Sequence, residues 1–220
     1  MQPSGCERIL VVGAGGFGRE VVHWARAAWP AAADRIVGFL SADADLVAGR
    51  DDLPAIIATP EDYQPRPGDG LVLAIGIPGT RRRVAESLVA RGATFLTLIH
   101  PAAVVLPGAV VGIGSVICPG AIVSDAVRLG RFVLLNFHSS LGHDASAGDW
   151  SVFSPYATLG GGAHVGEEVF LGLHAAVAPG RRVGARSKLA AGTVAMHDVA
   201  ADHLVFGVPG TPRPLIVPAD

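Results

Sequence analysis

A histidine followed directly by an aspartate, His143 and Asp144, is the pair of side chains in this sequence best suited to acid–base chemistry. An amine or hydroxyl must lose a proton as it attacks an electrophile, and an imidazole accepts protons near neutral pH. A carboxylate beside the imidazole selects its tautomer and stabilises the protonated ring. His143 is therefore a candidate general base, with Asp144 as the carboxylate that orients it. A surface turn without a catalytic role is the alternative.

A glycine-rich turn near the N-terminus, Gly13-Ala14-Gly15-Gly16-Phe17-Gly18, is the second candidate site. Free N–H groups at the start of the helix that follows favour an anion such as a phosphate. The first, third and sixth residues of the turn also fit a dinucleotide fingerprint. The acidic residue which that fingerprint needs after the second strand is not cleanly present, and Asp43 is the nearest substitute. An NAD site is therefore the weaker alternative.

The elements around this turn predict a small parallel sheet flanked by helices. Strands are expected at 8–12, 35–40, 71–75 and 94–99, and helices at 19–28 and 80–91. Ser41 and Gly76 follow two of these strands, so they should line the same crevice as the glycine turn. Arg81 and Arg82, in the second helix, either balance phosphate charge there or lie on a solvated helix face.

From Ile99 onward the sequence has a period of six. Every sixth residue from Ile99 to Ala195 is apolar, and the residue four positions after each is in most cases Ala, Ser or Thr. This pattern predicts short parallel strands that stack in coils around an apolar column. A glycine recurs at every third repeat, at Gly112, Gly130, Gly148, Gly166 and Gly184, so three faces of six form one coil.

The 18-residue coil places Gly161 one coil beyond His143. A bare backbone there lets a substrate approach closely, and an N–H can hold an oxyanion that forms during a reaction. A tight corner within Gly160-Gly161-Gly162 is the alternative.

A zinc site is the alternative to general-base chemistry at His143, because His138 and His143 are five residues apart. Such a site needs a third ligand from a neighbouring coil, and a histidine is the type expected. The positions one coil away hold Gly120, Asp125, Tyr156 and Gly161 instead. We therefore predict no metal.

Together these features resemble the NeuD/PglD-like family of bacterial sugar acyltransferases, in which a Rossmann-like domain with a GxxGxG turn precedes a hexapeptide-repeat domain. The matching parts are residues 13–18, Gly142-His143-Asp144 and Gly207-Val208-Pro209, and the resemblance covers nearly all 220 residues. It implies an α/β domain at 1–97 that binds a sugar nucleotide, a left-handed parallel β-helix at 98–198 that carries the acyltransferase site, and a C-terminal tail at 199–220.

The resemblance also implies acetyl-CoA as co-substrate and N-acetylation of a nucleotide-linked amino sugar, a 4-amino-4,6-dideoxyhexose being favoured. It implies that His143 is the general base and that Asp144 raises the basicity of the ring. O-acetylation of a sugar such as sialic acid and nucleotide sensing without catalysis are the alternatives. The implied substrate contacts are Gly13, Ala14, Gly15, Gly18, Ser41, Gly76 and Asn136. The implied acetyl-CoA contacts are Gly161, Leu173 and Ala191. Val152 stands where the family often has a second histidine, which is a departure near the CoA.

The family resemblance implies a homotrimer with active sites between subunits. Phe132, Phe137 and Leu173 suit that assembly, because a lone coil would expose them to water.

Charge and composition exclude other classes of function. The net charge is −2 with 16% charged residues, so no basic excess is present to bind nucleic acid. No apolar run approaches the roughly 18 residues that a membrane span needs. Cys6 and Cys118 form no disulfide framework, and no signal pattern begins the chain, so a cytoplasmic location is expected.

Overall fold

The computed structural model describes residue 3 and residues 5–215, and the chain divides into two compact units. The first extends through Pro101 and includes Ile113–Val116, and the second comprises Ala102–Gly112 and the residues from Ile117 onward. The boundaries after residues 97 and 198 stay predictions. Residues 216–220 of the expected tail lie outside the described residues.

A four-stranded parallel sheet forms the first unit. Its strands are β1 (Arg8–Val12), β2 (Ile36–Leu40), β3 (Ile56–Ala58) and β4 (Asp69–Leu73), in the order β3-β2-β1-β4. Helix α1 (Gly16–Ala28) follows β1, helix α2 (Pro78–Ala90) follows β4, and 3-10 helices span Pro30–Arg35 and Ala44–Val47. Because β1 and β4 are parallel neighbours, the loops after them lie at the same edge of the sheet.

Three details of this unit differ from what the sequence pattern suggests. Strand β3 was missed, since it has only three residues and none of them is fully buried. The strand expected at 94–99 is reduced to a single bridge between Phe95 and Leu71 and the two-residue strand β5 (Leu98–Ile99). The apolar residues Val84 and Val89 lie outside the buried face of α2, which comprises Pro78, Arg81, Ala85 and Leu88.

Short strands at intervals of six form the second unit, as the period predicts. They are β6 (Val104–Val105), β7 (Val110–Val111), β8 (Val116–Ile117), β9 (Ile122–Val123), β10 (Arg128–Leu129), β11 (Leu134–Leu135), β12 (Ser140–Leu141), β13 (Ser146–Ala147), β14 (Val152–Phe153), β15 (Thr158–Leu159), β16 (His164–Val165), β17 (Phe170–Leu171), β18 (Ala176–Val177), β19 (Arg182–Val183), β20 (Lys188–Leu189) and β21 (Val194–Ala195). Two further strands, β22 (His203–Phe206) and β23 (Thr211–Pro214), pair with each other in antiparallel fashion within the expected tail.

The strands of the repeat stack in three sheets, and each pairs in parallel with the strand one coil away. The orders are β19-β16-β13-β10-β7, β21-β18-β15-β12-β9-β6 and β23-β22-β20-β17-β14-β11-β8-β5. The period-six column is buried from Ile117 to Ala195. Val105 and Val111, at its beginning, are only half-buried.

The glycines that recur once in every coil are required by the stacking. A Cβ built on Gly148 would lie 2.5 Å from the backbone nitrogen of Glu167, and one on Gly166 would lie 2.7 Å from that of Ala185. A side chain at these positions would therefore displace the next coil.

The expectation that Phe132 is exposed on a lone coil is wrong. Phe132 is buried, and its ring stacks on that of Trp150 with centroids 4.3 Å apart. Leu173 is exposed as expected, with 47% of its surface accessible, and Phe137 is half-buried. Among the described residues, no helix is long and apolar enough to cross a membrane.

Asp69, at the start of β4, is a buried carboxylate held by polar contacts at the amino edge of the sheet. Tyr63 donates its hydroxyl hydrogen bond to Asp69 Oδ2, which also accepts from the Arg66 N–H at 2.8 Å. Arg8 lies 3.6 Å from Oδ1. Burial, followed by the bond to Asp69, raises the pKa of Tyr63 to about 12.

We expect Tyr63→Phe to lower the free energy of unfolding by about 1–3 kcal/mol near neutral pH, because Asp69 loses a donor inside the protein. The pKa of Tyr63 is higher in the folded chain than its ordinary value of 10.0, so the contribution of the hydroxyl is complete below pH 10. It is lost as the pH rises through about 12. Urea unfolding at several pH values is the measurement. A difference between wild type and variant that stays constant up to pH 12 would contradict this role.

Candidate functional site

His143 and Asp144 lie in the turn between β12 and β13, at a corner of the β-helix. Asp144 has a φ of 60°, in the left-handed region, and its N–H donates to the Asp125 carbonyl of the preceding coil. This backbone turns both side chains outward. They are 74% and 68% exposed.

The imidazole and the carboxylate form a direct hydrogen bond. His143 Nδ1 lies 2.8 Å from Asp144 Oδ2. A carboxylate accepts hydrogen bonds, so this contact places the proton of the neutral ring on Nδ1 and leaves Nε2 with its lone pair. The pair therefore presents Nε2 as the atom able to accept a proton.

Gly161 lies directly against the His143 ring, one coil further on, as the coil length predicts. A Cβ built on Gly161 would lie 2.7 Å from Nε2 and 2.8 Å from Cε1. The Gly162 N–H also donates to the His143 carbonyl at 2.8 Å. The absence of a side chain at position 161 is thus what allows the imidazole to occupy this position.

The Gly161 N–H has no hydrogen-bond acceptor among the described residues. Equivalent N–H groups at other corners bind oxygen where one is near: Arg131 donates to Asp149 Oδ1 at 2.7 Å, and Phe137 donates to Asn136 Oδ1 at 2.8 Å. The corner at Gly161 is therefore able to bind a carbonyl oxygen beside His143 Nε2.

Asn136 lies before a different corner, one face of the coil away from His143. Its side-chain oxygen accepts from the next residue, and its carbonyl accepts from Ser139 Oγ at 2.6 Å. Its role as a substrate ligand stays a prediction. Leu173 and Ala191 lie at the same corner as Phe137, and both are exposed. Within one chain, the residues predicted to bind acetyl-CoA therefore occupy two different corners.

His138 belongs to a column of stacked rings rather than to a cluster with His143. Its ring stacks on Tyr156 with centroids 5.0 Å apart, and Tyr156 stacks on His174 at 4.6 Å. The spacing of five places His138 and His143 at two successive corners. No group of three His, Cys, Asp or Glu in the described part of the chain is placed to hold a metal ion.

The glycine turn after β1 is packed tightly on one side and open on the other. Gly13 has a φ of 104°, and a Cβ on it would lie 2.8 Å from the Ala74 carbonyl oxygen. A Cβ on Gly18 would overlap the Gly13 carbonyl. Gly15 precedes α1 without a side-chain cap, and a Cβ on Gly15 or Gly76 would meet nothing within 4 Å. The open positions leave space for a ligand at the start of α1.

The side chain of Asp43 caps the short helix that follows it, which weakens the NAD alternative. Its Oδ1 accepts from the Asp45 N–H at 3.0 Å and caps the turn Ala44–Val47. Ser41 Oγ accepts from the Asp43 N–H at 3.4 Å, and the Ser41 N–H donates to Ala58. Ser41 lies at the carboxyl end of β2, as predicted.

The expectation for Arg81 needs correction, whereas Arg82 agrees with the solvated-face alternative. Arg81 is fully buried, so it neither lies on a solvated face nor is free to reach a phosphate. Arg82 is exposed in part and forms an ion pair with Glu86 at 2.9 Å. The burial of Arg81 was missed, although its spacing of four and seven positions from Ala85 and Leu88 places it on their helix face.

A family model described as the PglD N-terminal domain matches residues 8–88. The chain is 30% identical over 108 residues to the GDP-perosamine N-acetyltransferase of Escherichia coli O157:H7, and the match spans about half (49%) of each chain.

Solved structures match along almost the whole chain, and the following two are examples. One is the acetyltransferase domain of PglB from Neisseria gonorrhoeae in complex with acetyl coenzyme A (TM-score 0.86, 30% identity), which covers 95% of this chain and 100% of that one. The other is PerB from Caulobacter crescentus in complex with CoA and GDP-perosamine (TM-score 0.82, 27% identity), with 94% and 97% covered. The predicted fold class, an α/β unit followed by a left-handed parallel β-helix, is confirmed.

We expect Gly18→Ala and Gly15→Ser to differ sharply in thermal stability. The methyl group added at position 18 would force the Gly13 carbonyl to move, which costs about 1–3 kcal/mol or more. Serine at position 15 meets open space and is a good N-cap, so that variant should unfold within about 0.5 kcal/mol of wild type or be more stable. Thermal denaturation of both variants is the measurement. Equal loss in both would contradict the packing described for the turn.

Proposed function

This chain belongs to the NeuD/PglD-like family of bacterial sugar acyltransferases, and we propose that it transfers the acetyl group of acetyl-CoA to the amino group of a nucleotide-linked amino sugar. The observation that carries the proposal is the His143–Asp144 pair, with Nε2 held against the backbone of Gly161. The similarity to the GDP-perosamine N-acetyltransferase, and to PerB with CoA and GDP-perosamine, supports the substrate class. A 4-amino-4,6-dideoxyhexose is the proposed sugar.

In the proposed reaction, His143 Nε2 accepts the proton that the neutral sugar amine loses as its nitrogen attacks the thioester carbon. The oxygen of the tetrahedral intermediate accepts a hydrogen bond from the Gly161 N–H. As the intermediate collapses, the C–S bond breaks and the C–N bond remains. The proton passes from the imidazolium to the departing thiolate, which leaves as CoA. Asp144 stabilises the imidazolium meanwhile.

No covalent enzyme intermediate is part of this scheme. Cys6 and Cys118 are both buried thiols, and the separation between Cys118 and His143 is not a multiple of the coil length. Burial is the largest influence on Cys6 and raises the pKa of its thiol, which disfavours the nucleophilic thiolate. Direct transfer between the two bound substrates therefore fits these residues better than a thioester on the protein.

The nucleotide part of the substrate is proposed to bind at the carboxyl edge of the N-terminal sheet. Gly13, Ala14, Gly15 and Gly18 shape the turn there, Ser41 directly follows β2, and Gly76 lies in the loop after β4. The open surface over Gly15 and the uncapped start of α1 suit a diphosphate. Asp43 is the nearest candidate for the carboxylate that binds the ribose of NAD, but its Oδ1 already accepts a hydrogen bond from Asp45. This favours a sugar nucleotide over NAD.

The acetyl-CoA is proposed to lie between neighbouring copies in a homotrimer. Gly161 lies at one corner of the coil, and Leu173 and Ala191 lie at another, so a groove between two copies is one way in which all three contact a single CoA. Leu173 is 47% exposed, which suits burial in such a groove. A sedimenting mass three times the chain mass of 22.5 kDa is expected.

The experiment that tests the function is a screen with acetyl-CoA in which the release of free thiol is followed. The acceptors are UDP-, dTDP- and GDP-linked amino sugars and, beside them, sugars that carry hydroxyl groups only, and binding of each sugar nucleotide is measured in parallel. Thiol release with at least one amino sugar is the expected result. Release only with hydroxyl acceptors would assign O-acetylation instead. Binding of a sugar nucleotide without thiol release would favour a nucleotide-sensing module.

We expect His143→Ala to lower kcat by roughly 10²–10⁴, the usual contribution of a general base, with an unchanged melting temperature because the side chain is exposed. Asp144→Asn should lower kcat less. His197→Ala is the matched control, since His197 is an exposed histidine at the same corner three coils further on. Steady-state kinetics with both substrates is the measurement. Near-wild-type kcat in His143→Ala would remove the proposed base.

Gly161→Ala should lower kcat at least tenfold, because its methyl group would occupy the position of the His143 ring. If Gly161 only contacted the thioester, the main effect of the substitution would instead be a higher KM for acetyl-CoA. A double variant separates the two: in the His143→Ala background, Gly161→Ala should have little further effect on kcat. Additive losses, together with a raised KM for acetyl-CoA, would show that Gly161 acts without His143.

A further inference from the structure

The guanidinium of Arg81 is enclosed beneath the loop that joins β4 to α2. None of the residue is accessible to solvent. Its Nη1 donates to the Leu73 carbonyl at 3.0 Å and to the Ile75 carbonyl at 2.9 Å. Both acceptors belong to the end of β4 and the first residues of the loop, so one side chain holds both sides of Ala74.

A buried arginine at this position is costly, which calls for a reason. Removing a cation from water is unfavourable unless strong hydrogen bonds replace the hydration. Arg81 also lies in the first turn of α2, where the helix dipole disfavours a positive charge. Methionine or leucine would fill the same space at lower cost, so packing alone does not account for arginine here.

Ala74, which Arg81 brackets, is the point of contact with the glycine turn. The Ala74 N–H donates to the Val12 carbonyl at 2.9 Å, directly before Gly13. The Ala74 carbonyl oxygen fills the space where Gly13 would otherwise carry a Cβ, at 2.8 Å. Any shift of Ala74 therefore moves the carbonyl group against which the glycine turn is packed.

We infer that Arg81 is a positioning residue for the sugar nucleotide: it fixes the carbonyls of Leu73 and Ile75 and thereby sets the β4–α2 loop against the glycine turn. Gly76 and Ile77 follow in that loop, and Ile77 directly precedes α2 as Gly15 directly precedes α1. The width of the crevice between these two helix starts is then set by Arg81, which itself never contacts substrate. This inference rests on the proposed function of the N-terminal unit.

The test compares Arg81→Met and Arg81→Lys with the matched control Arg82→Met, one residue further along the same helix. Methionine keeps much of the length of the side chain but donates no hydrogen bond. We expect Arg81→Met to raise the KM for the sugar nucleotide at least tenfold, with the KM for acetyl-CoA and kcat within about twofold. Arg81→Lys should show a smaller increase, since an ammonium group can still donate to the carbonyls. Arg82→Met should match the wild type.

A binding measurement keeps the inference separate from catalysis. Calorimetry with the nucleoside diphosphates UDP, dTDP and GDP should show weaker binding to Arg81→Met than to wild type for whichever nucleotide binds. A wild type that acetylates no amino sugar contradicts the proposed function. Equal affinity of wild type and Arg81→Met for the nucleotide contradicts only the role of Arg81.

Chemical rescue tests the guanidinium itself. In Arg81→Ala, millimolar guanidinium should restore nucleotide binding in part, whereas urea, which has a similar planar shape without charge, should not. Equal weakening of both substrates, or loss of cooperative unfolding in both Arg81→Met and Arg81→Lys, would make Arg81 a purely structural residue and overturn the inference.

Discussion

The constraint on which the β-helix unit depends is the pairing of each residue with its equivalent in the next coil. Backbone hydrogen bonds join every coil to the next, and each coil must have three faces of six for the register to hold. The stack leaves so little space at one corner that Gly148 and Gly166 have no room for a side chain. Because the backbone fixes every corner, a side chain placed at one corner has a known neighbour one coil further on.

The candidate base uses this register directly. His143 and Gly161 are one coil apart, so the ring of the first lies on the bare backbone of the second. The same geometry stacks Tyr156 between His138 and His174 at another corner. The same stacking of coils therefore places aromatic rings on one another at one corner and a histidine ring on a glycine at another. The residue types at each corner determine which arrangement forms.

Features with a strict period could be predicted from the sequence, whereas features set by packing across the sheet could not. The coil length, the buried column and the neighbourhood of His143 and Gly161 follow from counting residues. The short strand β3 carries no clear apolar pattern, and Phe132 is covered by Trp150 from an adjacent coil. Both alternatives for Arg81, a phosphate contact and a solvated helix face, are wrong because the residue is buried, and the carbonyls that hold it are set by tertiary structure.

The exposure of His143 links the proposed chemistry to the proposed assembly. With the two side chains 74% and 68% exposed, the hydrogen bond between His143 and Asp144 is weakened by water and orients the ring only modestly. The contact with Gly161 supplies part of the orientation, since it restricts the ring without any charge. Electrostatic stabilisation of an oxyanion becomes stronger when water is excluded, and the exposed corner of a single chain excludes little water. The proposed mechanism therefore requires that the substrates, or a neighbouring copy of the chain, cover this corner during the reaction.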